Sequence, residues 1–150
     1  MTYLSAPLLP AALSLTTFLA TTLPAQSKSF CENVLTLERQ GAVPAITLPN
    51  TDNTANCTRS LVLGGRTQLH CGWPFDYRPD SATTAFNELV DTLTACIGPD
   101  AQMISDQNVN HPDFYDLRIF QIDGFEIGAS LKDKSGLRQT YVFLRVSRPK

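Results

Sequence analysis

Charge is absent from the first part of this chain. Residues 1–25 contain no Asp, Glu, Lys or Arg, and they carry an apolar stretch over residues 8–23. Such a stretch followed by the small residue Ala25 is typical of a secretory signal peptide, for which we predict cleavage before Gln26. Thr, Ser and Pro residues interrupt the stretch, so it is a poor candidate for a membrane-spanning helix. We predict a signal peptide over residues 1–25 and one exported α+β domain over residues 26–150.

Clustered positive charge is also lacking. The chain has 12 Lys and Arg and 14 Asp and Glu, which gives a net charge of −2, and the two signs are interspersed. A nucleic-acid-binding surface needs basic residues concentrated on one face. The densest group, Lys132, Lys134 and Arg138, is interrupted by Asp133 and is predicted to be the solvated tip of a hairpin. We therefore expect no nucleic-acid partner.

Metal and phosphate motifs are missing. The four cysteines form no C-x-x-C pair, and the glycines form no G-x-G-x-x-G loop, so no metal or cofactor is predicted. An even number of cysteines in an exported chain is typical of disulfides, so we predict two disulfides and a structural role for Cys71 rather than a nucleophilic one. The pairing stays open, because Cys57–Cys71 is as compatible with the sequence as Cys71–Cys96 combined with Cys31–Cys57.

Two segments have the periodicity of helices. Ser29 and Glu32 have the spacing of a capping box, which predicts a short N-terminal helix. A longer helix is predicted over residues 82–97, with an N-cap supplied by Asp80-Ser81 and an end at Gly98. The apolar stripe of this helix consists of Ala82, Phe86, Leu89, Val90, Leu93 and Ile97.

A hairpin is predicted in the middle of the chain. Residues 61–63 and 67–73 have the composition of strands, and the glycine pair between them is typical of a two-residue turn. With that turn Thr58 faces Cys71, so Cys57 lies one position out of register with Cys71.

A three-strand antiparallel meander is predicted at the C-terminal end, over residues 116–122, 125–131 and 140–146. The last of these strands carries apolar residues on both faces and is expected to be central. Residues 43–48 are expected to be extended, and residues 49–58 to form a polar loop. The predicted fold is an antiparallel sheet of about five strands with the main helix on one face.

One stretch stands out as a possible recognition surface. Trp73, Phe75 and Tyr77 alternate along it and are flanked by Asp76 and Arg78. Aromatic and charged residues at a sheet edge are typical of binding hot spots, which predicts a binding surface formed by these five residues. The alternative, which the sequence favours, is that Trp73 and Phe75 cover the end of the core while Tyr77 forms a hydrogen bond at its rim. Asp76 and Arg78 are expected to form a solvated ion pair.

Histidine is scarce, and the chain has two. His70 precedes Cys71 and should therefore point away from the side to which Cys71 points. His111 and Asp113 lie in a polar loop that could add to the binding surface. Together with Asp116, the two histidines and Asp113 are weak catalytic candidates, because a histidine beside a carboxylate is the arrangement needed for acid-base catalysis.

These observations predict an exported, disulfide-stabilised binding protein. Its expected partner is another protein in the cell envelope or outside the cell, on which it acts as an inhibitor or immunity-type protein. One alternative is a small secreted hydrolase that uses a His/Asp site. Another is a small-ligand-binding domain with a cavity of about 300 Å³ or more between helix and sheet.

Overall fold

The computed structural model describes residues 25–36, 45–62, 65–99, 101–106, 115–122 and 124–148. These residues form two helices, α1 (Ala25–Thr36) and α2 (Asp80–Ile97), and eight strands. The predicted signal peptide and the segment that holds His111 and Asp113 lie outside the described residues. The strands are β1 (Ala45–Thr47), β2 (Thr54–Asn56), β3 (Thr58–Val62), β4 (Arg66–Asp76), β5 (Gln102–Asp106), β6 (Tyr115–Ile122), β7 (Phe125–Lys134) and β8 (Gln139–Ser147).

Six of the strands form one antiparallel sheet in the order β3-β4-β8-β7-β6-β5, and β1 and β2 form a separate antiparallel pair. The predicted α+β class, the C-terminal meander and the central position of the last strand are confirmed. Two strands escaped prediction. β5 is exposed along its whole length, so it has no alternation of apolar and polar residues, and β2 lies within the predicted loop over residues 49–58.

Helix α2 packs across one face of the sheet, as predicted. Its apolar stripe is buried, apart from Val90, which is half-buried. The helix begins at Asp80, so the predicted N-cap is wrong: Pro79 occupies the cap position, and Asp80 lies in the first turn, where a carboxylate interacts favourably with the helix dipole. Gly98 ends the helix with a φ of 82°, a conformation that glycine adopts without strain, and its N–H bonds the Thr94 carbonyl.

The core lies between α2 and the sheet. Trp73 of β4 is completely buried there, together with Phe86 and Leu89 of the helix and Val142 and Leu144 of β8. Burial of each such side chain contributes about 1.5–3 kcal/mol. The indole Nε1 of Trp73 donates to the Ile46 carbonyl at 3.1 Å, which ties the small β1-β2 pair to the main sheet.

The β3-β4 pairing decides the disulfide pattern. Thr58 lies opposite His70, one position away from the predicted register, because Val62 pairs with Arg66. This shift places Cys57 opposite Cys71, with 4.2 Å between their Cα atoms, and the two are bonded. Cys31 of α1 and Cys96 of α2 form the second disulfide. The prediction of two disulfides is confirmed, and such bonds indicate an oxidising compartment.

Helix α1 begins at Ala25, so Ser29 lies inside it and the predicted capping box is wrong. Phe30 and Val34, one helical turn apart, are buried in the core. Among the described residues, neither helix combines the length and the apolar character required to cross a bilayer.

Candidate functional site

The side of the six-stranded sheet that faces away from α2 is called the open face. Alternation along β8 places Val142, Leu144 and Val146 against the helix and Tyr141, Phe143 and Arg145 on the open face. Residues in direct register share a face, so His70 of β4 and Gly128 of β7 flank Arg145 there. The predicted orientation of His70, away from the buried side chain of Cys71, is confirmed.

Two glycines allow large side chains to lie flat on the open face. Gly72 lies directly opposite Phe143, and a Cβ atom at Gly72 would be 2.8 Å from Cε1 of the phenyl ring. The ring of Phe143 therefore occupies space that any other residue at position 72 would fill. It contacts the imidazole of His70, with 4.9 Å between ring centroids, and stacks on Tyr141 at 5.3 Å.

Arg145 also lies flat over a glycine, on the side of β8 that pairs with β7. Its guanidinium lies over Gly128, where an added Cβ would be 3.4 Å from Nε. Nη2 donates to Oε1 of Glu126 at 2.7 Å. Nε is buried and has no hydrogen-bond acceptor among the described residues. Since a buried N–H without an acceptor is unfavourable, this guanidinium retains donor capacity that the described part of the chain does not use.

These residues border a groove of about 340 Å³ on the open face. It extends across four strands, from Gln68 and His70 of β4 to Tyr115 of β6. Lys132, Lys134 and Arg145 line it, and the described lining contains no carboxylate. The ammonium group of Lys132 lies 5.6 Å from the centre of the Tyr115 ring. The groove is therefore basic, although the chain as a whole has a net charge of −2.

Two titratable groups of the groove have shifted pKa values. Burial and, to a smaller extent, the positive charge of Arg145 lower the pKa of His70 below its ordinary value of 6.5. The imidazole is thus neutral at pH 7. Burial raises the pKa of Tyr115 above 10.0, with a smaller opposing influence from Arg145 and a smaller reinforcing one from Asp106. Its phenol therefore remains protonated at neutral pH.

The predicted recognition patch is divided between the core and the surface. Trp73 is 0% exposed, so it is a core residue, as the alternative interpretation expects, and it offers no surface to a partner. Phe75 is half-buried and packs against the core. Tyr77 lies at the rim between the guanidinium groups of Arg78 and Arg138, at 4.9 and 5.1 Å from its ring centre.

The predicted ion pair between Asp76 and Arg78 is wrong. Arg78 Nε donates to Oδ2 of Asp133 at 2.6 Å, and the Asp133 carboxylate is buried. Thr140 completes the cluster: its Oγ1 donates to Asp133 and accepts the backbone N–H of Arg78. Arg78 has a φ of 55°, a left-handed conformation that these bonds stabilise where the chain turns from β4 into α2.

A second cavity, of about 380 Å³, lies beside this cluster, between the first turn of α2 and the ends of β7 and β8. The small-ligand alternative, which stays a prediction, expects a cavity between helix and sheet. The polar side chains of the second cavity include Arg78, Asp133 and Thr140, which already bond one another. It therefore presents fewer unused polar groups to a ligand than the open-face groove does.

The catalytic candidates that the structure describes do not converge. His70 lies on the open face, whereas Asp116 lies on the helix-facing side of β6 and accepts two hydrogen bonds from the Arg118 guanidinium. The Arg118 guanidinium lies over the Phe86 ring of α2, so Arg118 is on the helix-facing side of the sheet. His111 and Asp113 lie outside the described residues. Within the described ranges, no three His, Cys, Asp or Glu side chains are close enough together to hold a metal ion.

Of the described residues that line the groove, His70 is the one that the sequence singles out as a site candidate; Lys132 and Lys134 were expected at a solvated hairpin tip, and Tyr115, Phe143 and Arg145 were not identified. The sequence signal for this face is the alternation of Tyr141, Phe143 and Arg145 with the apolar residues of β8, a pattern that also fits a strand buried on both faces. Comparisons with protein families, with curated proteins and with solved structures return no match for this chain.

Proposed function

We propose that this chain is an exported, disulfide-stabilised binding protein that recognises an acidic segment of another protein through the open face. The apolar segment at residues 8–23 and the two disulfides support export. The partner acts in the cell envelope or outside the cell, and the role is that of an inhibitor or immunity-type protein.

The basic groove is the observation that carries this proposal. Lys132, Lys134 and Arg145 line it, and no carboxylate is among the described lining residues. Glu126 pairs with Arg145, so the two lysines give the groove its excess of positive charge, which attracts negative charge. Tyr115 and Phe143 add aromatic surface beside these cations. Aromatic residues and arginine are enriched in the energetically dominant positions of protein interfaces.

The shape of the groove favours a protein segment as the occupant. It crosses β4, β8, β7 and β6, a distance of about 14 Å at the usual spacing of strands. It is built on the strands of one sheet, so its backbone is positioned before binding, and a pre-organised backbone loses less entropy on association.

A capture experiment tests the proposed function. The exported form is immobilised and exposed to envelope and extracellular fractions of its own organism, and captured proteins are identified by mass spectrometry. The open-face variant Lys132→Gln/Lys134→Gln is compared with the control Thr84→Asp/Asn87→Asp, which changes exposed residues of α2. Both double variants change the net charge by the same amount, so a non-specific effect of charge appears in both.

We expect a partner that is retained by the wild type and by the α2 control and is captured at least about tenfold less by the open-face variant. Equal capture by all three proteins, or capture of no protein that depends on the groove, contradicts the proposal. Circular dichroism of each variant establishes that the fold is retained.

A further inference from the structure

Arg145 differs from the other cations of the open face in how it is held. Its side chain is 34% exposed, and its guanidinium lies over the backbone of Gly128 with Nη2 bonded to Glu126. Of the donors on this group, Nε is buried and lacks an acceptor among the described residues. Lys132, by comparison, lies 5.6 Å from the centre of the Tyr115 ring.

A guanidinium in this state suits one kind of ligand group. Its planar fork forms two parallel hydrogen bonds with a carboxylate, and such charge-assisted bonds are stronger than neutral ones. A carboxylate that approaches Arg145 from the groove supplies the acceptor that Nε lacks once the side chain lifts from Gly128. Glu126 engages Nη2 alone, so it leaves that requirement unmet.

His70 lies beside the position that this carboxylate would occupy. It is the direct cross-strand neighbour of Arg145, and its ring rests on Phe143. The other charged or titratable groups on this face are Tyr115 of β6 and Lys132 and Lys134 of β7, which line the same groove, together with Glu126, which pairs with Arg145, and Tyr141, which stacks on Phe143. On the side of β4 that pairs with β3, the uncharged Thr58 lies opposite His70.

We propose that Arg145 is the anchor of the open face, that it takes a side-chain carboxylate of the partner, and that His70 lies against that carboxylate and makes binding tighter in acid. This inference rests on the proposed function and adds the anchoring residue, the ligand group and a pH dependence.

The direction of the pH dependence follows from linkage. In the free protein, burial and Arg145 hold the pKa of His70 below 6.5. A bound carboxylate beside the imidazole favours its charged form and raises this pKa. The complex therefore binds more protons than the free protein, and affinity increases as pH falls through the range between the two values.

The test uses nuclear magnetic resonance of the exported form, with the Arg145 Nε–Hε signal as the reporter. The probe is an acetylated and amidated tetraglutamate peptide, and the matched control probe is the tetraglutamine peptide of the same length. We expect a saturable shift of the Arg145 signal and of the His70 ring with tetraglutamate alone. The affinity should be at least about threefold higher at pH 5.5 than at pH 7.5. Glu side chains remain ionised at both pH values, so titration of the peptide does not cause this difference.

Two variants complete the test. Arg145→Gln should weaken tetraglutamate binding by about tenfold or more, whereas Arg138→Gln, which removes one cation at the exposed hairpin tip, should leave it unchanged. Arg145→Lys keeps the charge, loses the planar fork and should give an intermediate affinity. The wild-type signal remains informative even if a variant fails to fold.

The inference and the proposed function fail in different ways. A shift of equal size with tetraglutamine or with chloride alone, or an affinity that does not change with pH, overturns the inference. If the partner is captured in a way that depends on Lys132 and Lys134 but Arg145→Gln binds it fully, the proposed function stands and the anchor is wrong. If no capture depends on the groove, both are wrong.

Discussion

The two faces of the sheet are built from the same strands and differ in how their polar groups are satisfied. On the helix-facing side, Asp133 is buried and bonded to Arg78 and Thr140, and Asp116 is paired with Arg118. On the open face, Arg145 keeps a buried N–H without an acceptor in the described part of the chain. A face that is satisfied internally stabilises the fold, and a face with unused donors is suited to binding.

The largest test of this contrast is Leu89→Ala, which removes a completely buried side chain between α2 and the sheet. The lost burial and the cavity that remains should lower the free energy of unfolding by about 2–5 kcal/mol. Leu61→Ala is the matched control, because Leu61 is 79% exposed, and it should change stability by less than about 0.5 kcal/mol. Urea denaturation followed by Trp73 fluorescence measures the free energy of unfolding of both variants. Equal losses would contradict the location of the core between α2 and the sheet.

Asp133→Asn tests whether the polar cluster of the helix-facing side stabilises the fold. The amide retains the size of the carboxylate but loses its negative charge and one of the two oxygens that accept from Arg78 and Thr140. We therefore expect the free energy of unfolding to fall by about 1–2 kcal/mol. Asp91→Asn, on the exposed surface of α2, should have no measurable effect in the same denaturation experiment. An unchanged free energy of unfolding for Asp133→Asn would contradict a stabilising role of the cluster.

Gly72→Ala tests the flat position of Phe143 on the open face. The new Cβ would lie 2.8 Å from the phenyl ring, so the ring must move, at a cost of about 1 kcal/mol. The ring-current shifts of the His70 protons should change with it, since the two rings are in contact. Gly136→Ala adds a Cβ that meets nothing within 4 Å and should leave both the shifts and the stability unchanged.

The smallest expected effect is the pH dependence caused by His70. Its pKa in the folded protein lies below 6.5, the ordinary value that it recovers on unfolding. As pH falls through 6.5 the unfolded chain takes up the proton first, so the free energy of unfolding decreases until the folded imidazole is protonated as well. His111→Gln leaves His70 as the only histidine, so a titration followed by nuclear magnetic resonance assigns the pKa without ambiguity.

The comparison with His70→Gln completes this measurement. In that variant the decrease of stability below pH 6.5 should be smaller than in the His111→Gln protein. A folded-state pKa of His70 at or above 6.5 would contradict the burial of the imidazole beside Arg145.

Sequence periodicity was sufficient for elements whose residues alternate between core and solvent. Helix α2 and the meander β6-β7-β8 were predicted because their apolar residues repeat at the period of the element. Strand β5 was not predicted, since both its faces are exposed and its side chains show no such pattern. The sequence left Trp73 open between core and surface, because alternation locates a side chain on a face without revealing what covers that face.

The groove on the open face could not be predicted from periodicity either. Phe143 and Arg145 are visible as large residues on alternate positions of β8, but the glycines on which they lie, Gly72 and Gly128, are brought opposite them by the strand order and the register. Register had the same effect on the disulfides. A one-residue difference in the hairpin connection moves Cys57 from beside Cys71 to directly opposite it.

The sequence by itself determined the α+β class, the position of the main helix and the presence of two disulfides, because each depends on local periodicity or on the number of cysteines. Only the tertiary structure decided the cysteine pairing, the burial of Trp73, the partner of Arg78 and the basic groove of the open face. These features depend on which strands are neighbours and in what register, and contacts between residues far apart in the chain leave no periodic pattern within it.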